Sequence, residues 1–329
     1  MHPYDAAHMV IDGHNDLVLQ RWRGEPGRHI DLDTAAESGF AGGFFALYVP
    51  SPFNGDPPST PYAMPFAPAI PYEEAAQITE ELFATLCDLP VGRARSVDDF
   101  REGEITAIVH MEGAEAIAAD LANLPEWYDR GLRSVGIVWS RPNVFAEGVP
   151  FEFPASPDTG PGLTDAGRAL VRACNELGIL VDVSHLNERG FWDVAATSDR
   201  PIVATHSNAH ALCASTRNLT DAQLDAVRDS GGVVGVNFAV TFLREDGMNS
   251  FEETGLDEIV RHVDYLAERM GIDHVAFGSD FDGAVVPAAL GGVSGLPRLV
   301  DALAGRYTPG EVDQITHGNW LRVLGATWR

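Results

Sequence analysis

Met9-Val-Ile-Asp-Gly-His-Asn-Asp16 is an apolar run that ends in a histidine and an acid two residues apart. In a β-strand, side chains two apart point to the same side. His14 and Asp16 therefore face one point from the end of this segment. A doubly wound nucleotide-binding sheet places a Gly-rich phosphate loop directly after its first strand. The sequence around Gly13 has no such loop. Seven further runs of the same kind follow: 43–49, 106–113, 134–139, 180–185, 202–207, 233–238 and 274–280. Several are almost continuously apolar, as strands buried on both faces of a parallel sheet should be.

Segments of helical periodicity lie between most of these runs. They are 72–89, 164–177, which opens on Thr164 as a natural N-cap, 220–229, 256–270 and 308–324. Alternation of strand and helix eight times predicts a (β/α)8 TIM barrel. At 329 residues the chain fits one barrel domain over its whole length. Two Pro-rich stretches, 50–71 and 142–162, are too long for ordinary strand–helix connections. They are expected to be mobile loops or lids at the barrel mouth.

Composition narrows the chemistry. The formal net charge is −26, so neither nucleic acid nor an anionic membrane is an expected partner. All 22 basic residues are arginine. The absence of lysine removes Schiff-base chemistry, pyridoxal anchoring, a P-loop lysine and a carboxylated-lysine metal bridge. Cys87, Cys174 and Cys213 are too few and too scattered for a disulfide framework, and all three read as buried small hydrophobes. Residues 1–10 carry no charged-then-apolar leader, and no apolar run is long enough for a bilayer. The expected location is cytoplasmic.

The other strand ends supply the rest of a metal site. Glu112 closes an apolar run in which an unpaired carboxylate would be costly. With no lysine available it is the candidate bridge between two ions, while His110 and Met111 read as packing. His185 and His206 each close an apolar strand, and in a barrel such ends meet at the one mouth where active sites lie. Asp280 directly ends the run 275–277, whereas Asp282 reads as a cap on the following turn. Imidazole and carboxylate together suit zinc, with manganese or cobalt as substitutes. Two divalent ions, roughly 3.5–4 Å apart, would share Glu112 and a bridging hydroxide formed near neutral pH. Asp280 would act as general base and then as general acid. Asn237, at the end of the seventh strand, could line the pocket. Spacing alone makes Arg217 a surface residue with a local acidic partner. His210, His262, His274 and His317 read as structural.

Taken in order, the segments 12–16, Glu112-Gly113, 182–185, 205–207, Arg217-Asn218, 278–283, 236–238 and 318–323 resemble the membrane dipeptidase (renal dipeptidase) family of zinc metallopeptidases, as a bacterial-type member. The resemblance spans nearly the whole chain. It implies His14 and Asp16 on one zinc ion, His185 and His206 on the other, and Glu112 between them. It also implies that Arg217 binds the carboxylate of a small dipeptide, of the L-Xaa-D-Xaa type in bacterial relatives. The secretion signal and lipid anchor of mammalian members have no counterpart, so no membrane partner is expected. A homodimer is one assembly the chain could form. One position departs from the family. Its fourth strand usually ends in a histidine that polarises the scissile carbonyl, and this sequence has Trp139 there. An indole N–H donates one uncharged hydrogen bond. Weak turnover of ordinary dipeptides follows as an expectation. Hydrolysis of another small amide, a lactone or an ester on the same metals, and a metal-binding relative without catalysis, stand as alternatives.

Overall fold

The computed structural model describes residues 8–51 and 59–329. Eight parallel strands form its centre: β1 (Val10–Asn15), β2 (Phe40–Tyr48), β3 (Thr106–Glu112), β4 (Leu132–Gly136), β5 (Leu180–Asp182), β6 (Val203–Ser207), β7 (Val233–Val236) and β8 (Val275–Phe277). Each pairs in parallel with the next in chain order. The ring closes just beyond β8. Asn15 bridges Phe281, the Asp280 amide donates to the His14 carbonyl, and the Asp16 amide donates to the Phe281 carbonyl. This is a (β/α)8 barrel.

All eight expected strands are present, at somewhat different limits. The fourth ends at Gly136 and the fifth at Asp182, so Trp139 and His185 sit three residues past their strands, in the loops of the mouth. The parallel register explains close packing at the wall. A Cβ on Gly43 would lie 1.9 Å from the Asp12 carbonyl oxygen, and one on Gly13 would lie 2.2 Å from that of Thr205. Only glycine lets these backbones approach so closely.

Helices cover the outside of the ring. Asp165–Leu177 starts where Thr164 accepts a hydrogen bond from the Gly167 amide. Asp221–Asp229 opens with a Thr220–Gln223 capping box, and Leu256–Met270 has the expected limits. The expected closing helix is interrupted: Pro309–Asp313 and Asn319–Thr327 flank a π-turn over Gln314–Gly318. Trp320 of that last helix is fully buried beneath the barrel and donates from Nε1 to the Phe277 carbonyl at 3.0 Å.

The two Pro-rich stretches meet each other above the mouth. Tyr62–Ala63 pairs antiparallel with Glu152–Phe153, and the Met64 amide donates to the Phe151 carbonyl. Part of the first stretch, 52–58, lies outside the described residues. Two expectations are corrected. Cys174 and Cys213 are buried, but Cys87 is exposed. It lies on the solvent side of helix Tyr72–Asp88, whose inward positions are Ala75, Thr79, Leu82, Phe83 and Leu86. Asp282 does not cap the turn that follows it. Its Oδ1 accepts from the amides of Arg28 and His29, tying the loop after β1 to the loop after β8. Among the described residues no helix is long and apolar enough to cross a membrane.

Candidate metal centre

The ends of β1, β3 and β6 and the first residues of the loops after β1 and β5 deliver polar side chains to one cluster. Glu112 lies in the middle, and its two oxygens face different partners. Oε1 is 3.0 Å from Nε2 of His185 and 3.6 Å from Nε2 of His206. Oε2 is 3.6 Å from Nε2 of His14, which is itself 3.4 Å from Oδ2 of Asp16. The His14 and His206 rings stack at 3.9 Å, and Nε2 of His185 is 3.1 Å from Nε2 of His206. Asp280 completes a second group with His14 and Asp16, whose ligand atoms all lie within 4.8 Å of one another. The five expected ligands and Asp280 are therefore brought together.

This donor set fits divalent metal. Both ring nitrogens of His14 and Oδ1 of Asp16 are buried with no hydrogen-bond partner. Buried polar atoms in native proteins are normally satisfied, and a group left without a partner costs roughly 1–3 kcal/mol. Imidazole nitrogens and carboxylates converging on one point are the donor types that hold a divalent cation.

The tautomers support this reading. Nδ1 of His206 is 2.8 Å from the Thr205 hydroxyl, and that hydroxyl donates to Oδ2 of Asp182 at 2.7 Å. The Thr205 proton is committed to Asp182, so His206 must donate from Nδ1. Its Nε2 is then left with the lone pair a metal requires. Nδ1 of His185 is 2.9 Å from the Ser140 hydroxyl, which allows the same arrangement. Burial, aided by the Arg217 charge, holds both imidazoles well below their usual pKa and therefore neutral.

The acids behave differently. Burial raises Glu112 and Asp280 above the usual carboxylate range. Burial alone would lower His14, but Glu112, Asp16 and Asp280 outweigh it and raise its pKa. A positive charge placed among these groups would reverse both tendencies.

Asp280 has a positive φ of 61° and accepts from Nδ2 of Asn237 at 3.0 Å. A Cβ at Gly283 would lie 2.1 Å from Oδ2 of Asp16 and 2.6 Å from Oδ1 of Asp280. A glycine there is what lets the two acids share one edge of the cluster.

Arg217 is buried rather than on the surface, contrary to what spacing alone suggests. Its Nη1 donates to the Ser184 carbonyl, its Nη2 to the His206 carbonyl at 3.2 Å, and Nη2 lies 3.2 Å from Nε2 of His185. It borders a cavity of about 230 Å3 that opens over Asp16, Glu112, His185 and Asp280. Trp139 forms part of the wall, with ring centroids 5.1 Å from Tyr48, 5.6 Å from Phe151 and 5.9 Å from His185.

Sequence reasoning missed the supports. Asp182 accepts from the amides of Ser184 and Thr205 and from both their hydroxyls. Asp12 accepts from the Ser279 amide and hydroxyl. Each is an acid inside an apolar strand, which was the available signal. Arg141, fully buried, pairs with Glu115 at 2.8 Å and donates to the Val49 carbonyl at 2.9 Å. It joins the loops after β2, β3 and β4 beneath the Trp139 wall.

The chain as a whole is similar to known proteins. The family model for membrane dipeptidase (peptidase family M19) matches residues 2–328. The crystal structure of a metallopeptidase from Rhodobacter sphaeroides, liganded with a phosphinate mimic of the dipeptide L-Ala-D-Ala, is 47% identical. It superposes with a TM-score of 0.94 over 98% of this chain and 100% of that one. The crystal structure of dipeptidase AC is also 47% identical, with a TM-score of 0.92 over 98% of this chain and 99% of that one. An uncharacterised protein from the pqqA 5' region of Klebsiella pneumoniae is 52% identical over 238 residues, 72% of this chain and 88% of that protein.

Proposed function

We infer that this chain, which belongs to the membrane dipeptidase family (peptidase family M19) and is a metal-dependent dipeptidase, cleaves dipeptides of the L-Xaa-D-Xaa type at a site for two divalent ions. Zinc is the ion that the histidine–carboxylate donor set favours. His14 and Asp16 would hold one ion, His185 and His206 the other, and Glu112 would give one oxygen to each. The observation behind this division is the split of Glu112, with Oε1 toward His185 and His206 and Oε2 toward His14. Bound there, the ions supply a hydroxide nucleophile near neutral pH and polarise the scissile carbonyl.

The remaining work falls to the chain's own side chains. Arg217 would bind the carboxylate at the C-terminal end of the dipeptide, from the side of His185 and His206. A guanidinium suits that task, because it presents paired donors to a planar carboxylate. Asp280 would take the proton of the attacking water and hand it to the amide nitrogen as the C–N bond breaks. Asn237 holds that carboxylate by its Oδ2, leaving the other oxygen to face the reaction. Trp139, with Tyr48 and Phe151, walls the cavity and keeps bulk water away.

The mimic of L-Ala-D-Ala bound by the Rhodobacter sphaeroides relative supports the choice of stereochemistry. The test is hydrolysis by the zinc-loaded protein of L-Ala-D-Ala, L-Ala-L-Ala and D-Ala-L-Ala. Preferred cleavage of the first is expected. Preferred cleavage of either of the others removes the stereochemical assignment.

A further inference from the structure

The cavity has a second cationic end. Arg217 borders it beside His185 and His206. Gln20, Arg23 and Arg28, from the helix and loop that follow β1, border it together with Asp16, Asp280 and Asp282. Arg28 is pinned at that edge by its own backbone and tip. Its amide donates to Oδ1 of Asp282 at 2.6 Å, and its Nη2 donates to the Asp282 carbonyl at 3.0 Å. Gln20 is fixed in the same way, with Nε2 donating to that carbonyl at 2.8 Å.

Both arginines are exposed. Among the described residues neither forms an ion pair, while ten other arginines are tied up in pairs such as Arg130–Glu80 and Arg269–Asp221. In a chain of net charge −26, two guanidinium groups without an ion-pair partner border one cavity. Four carboxylates, Asp16, Glu112, Asp280 and Asp282, also border that cavity. Asp280 and Asp282, which hold no ion in the reading above, attract a substrate's α-amino group and repel another carboxylate unless cations stand next to it.

We propose that Arg23 and Arg28 select dipeptides whose N-terminal residue carries an acidic side chain. The proposal rests on the reading of Arg217 as the anchor for the terminal carboxylate. A dipeptide held there, with its scissile carbonyl over Glu112, extends its N-terminal residue toward Asp280 and Asp16. The α-amino group meets those acids, and a Glu or Asp side chain continues to the arginine rim. There a carboxylate would accept charge-assisted hydrogen bonds from the N–H groups that Arg23 and Arg28 leave free. A neutral isostere would gain far less, and a lysine side chain would be repelled.

The test compares kcat/KM for L-Glu-D-Ala, L-Gln-D-Ala, L-Lys-D-Ala, L-Ala-D-Ala and L-Ala-D-Glu, using the metal-loaded full chain. The expected ratio of L-Glu-D-Ala to L-Gln-D-Ala is about tenfold, equivalent to about 1.4 kcal/mol. It should shrink as salt is raised, because the rim is exposed. In the Arg23→Met/Arg28→Met variant the ratio should fall to near one. In the Arg23→Glu/Arg28→Glu variant the preference should invert toward L-Lys-D-Ala, a gain that misfolding cannot produce. Equal rates on the Glu and Gln substrates, a preference for L-Ala-D-Glu, or a preference that survives both variants would overturn the proposal while leaving the dipeptidase intact. Failure to cleave any of the five would instead overturn the L-Xaa-D-Xaa reading on which the proposal stands.

Discussion

Nδ2 of Asn237 donates to Oδ2 of Asp280 across 3.0 Å, so the end of β7 holds the acid that follows β8. Burial raises the pKa of Asp280, and the bond from Asn237 takes up Oδ2 and holds the carboxylate in one orientation. That combination suits a group that accepts a proton and then returns it.

Asp280→Asn keeps the shape and the bond geometry but cannot take the proton. Turnover should fall by about 100- to 10,000-fold, while metal content measured by plasma emission stays at the level of the unmodified protein. A variant that retains metal and near-normal turnover would remove Asp280 from the proton transfer.

Arg217→Met tests the proposed anchor for the substrate's carboxylate. Its kcat/KM on free dipeptides should drop by about 10- to 100-fold, the scale of a lost hydrogen bond between charged groups. Dipeptide amides should be poor substrates of the unmodified enzyme and should change little in the variant. Equal rates on acid and amide before substitution would place the carboxylate elsewhere.

Trp139 packs between Tyr48, Phe151 and His185 and offers only a neutral N–H to a developing oxyanion. An oriented donor at an oxyanion is worth roughly 3–4 kcal/mol. Trp139→His should therefore raise kcat on L-Ala-D-Ala. If the unmodified protein is already fast and the variant only loses activity, the indole is a working part of the substrate wall.

The barrel and the cluster of candidate ligands at its mouth are legible for one physical reason. A parallel strand buried on both faces is almost wholly apolar, so a polar residue at its end stands out, and all such ends meet at one mouth. His14, Asp16, Glu112, His185, His206 and Asp280 were found in that way. Asp12 and Asp182 broke the same pattern from inside their strands, and their partners became visible only when Ser279 and Thr205 came alongside. The Arg141–Glu115 pair joins loops 26 residues apart and leaves no periodic trace. Cys87 was misread because an apolar neighbourhood in sequence does not say which face of a helix a residue occupies. Arg217 was placed at the surface by spacing, and only the resemblance to a known family moved it inward; the fold buries it against the carbonyls of Ser184 and His206.

The central claim is that two ions share Glu112. The direct measurement is a zinc titration of the chelator-stripped protein, reading bound metal and hydrolysis of L-Ala-D-Ala together, with Glu112→Gln alongside. Activity should rise to a break at two equivalents. The Glu112→Gln variant should retain about one ion and lose most of its turnover, as expected when a shared ligand is weakened. Full activity at one equivalent, with a metal content that Glu112→Gln leaves unchanged, would contradict the account.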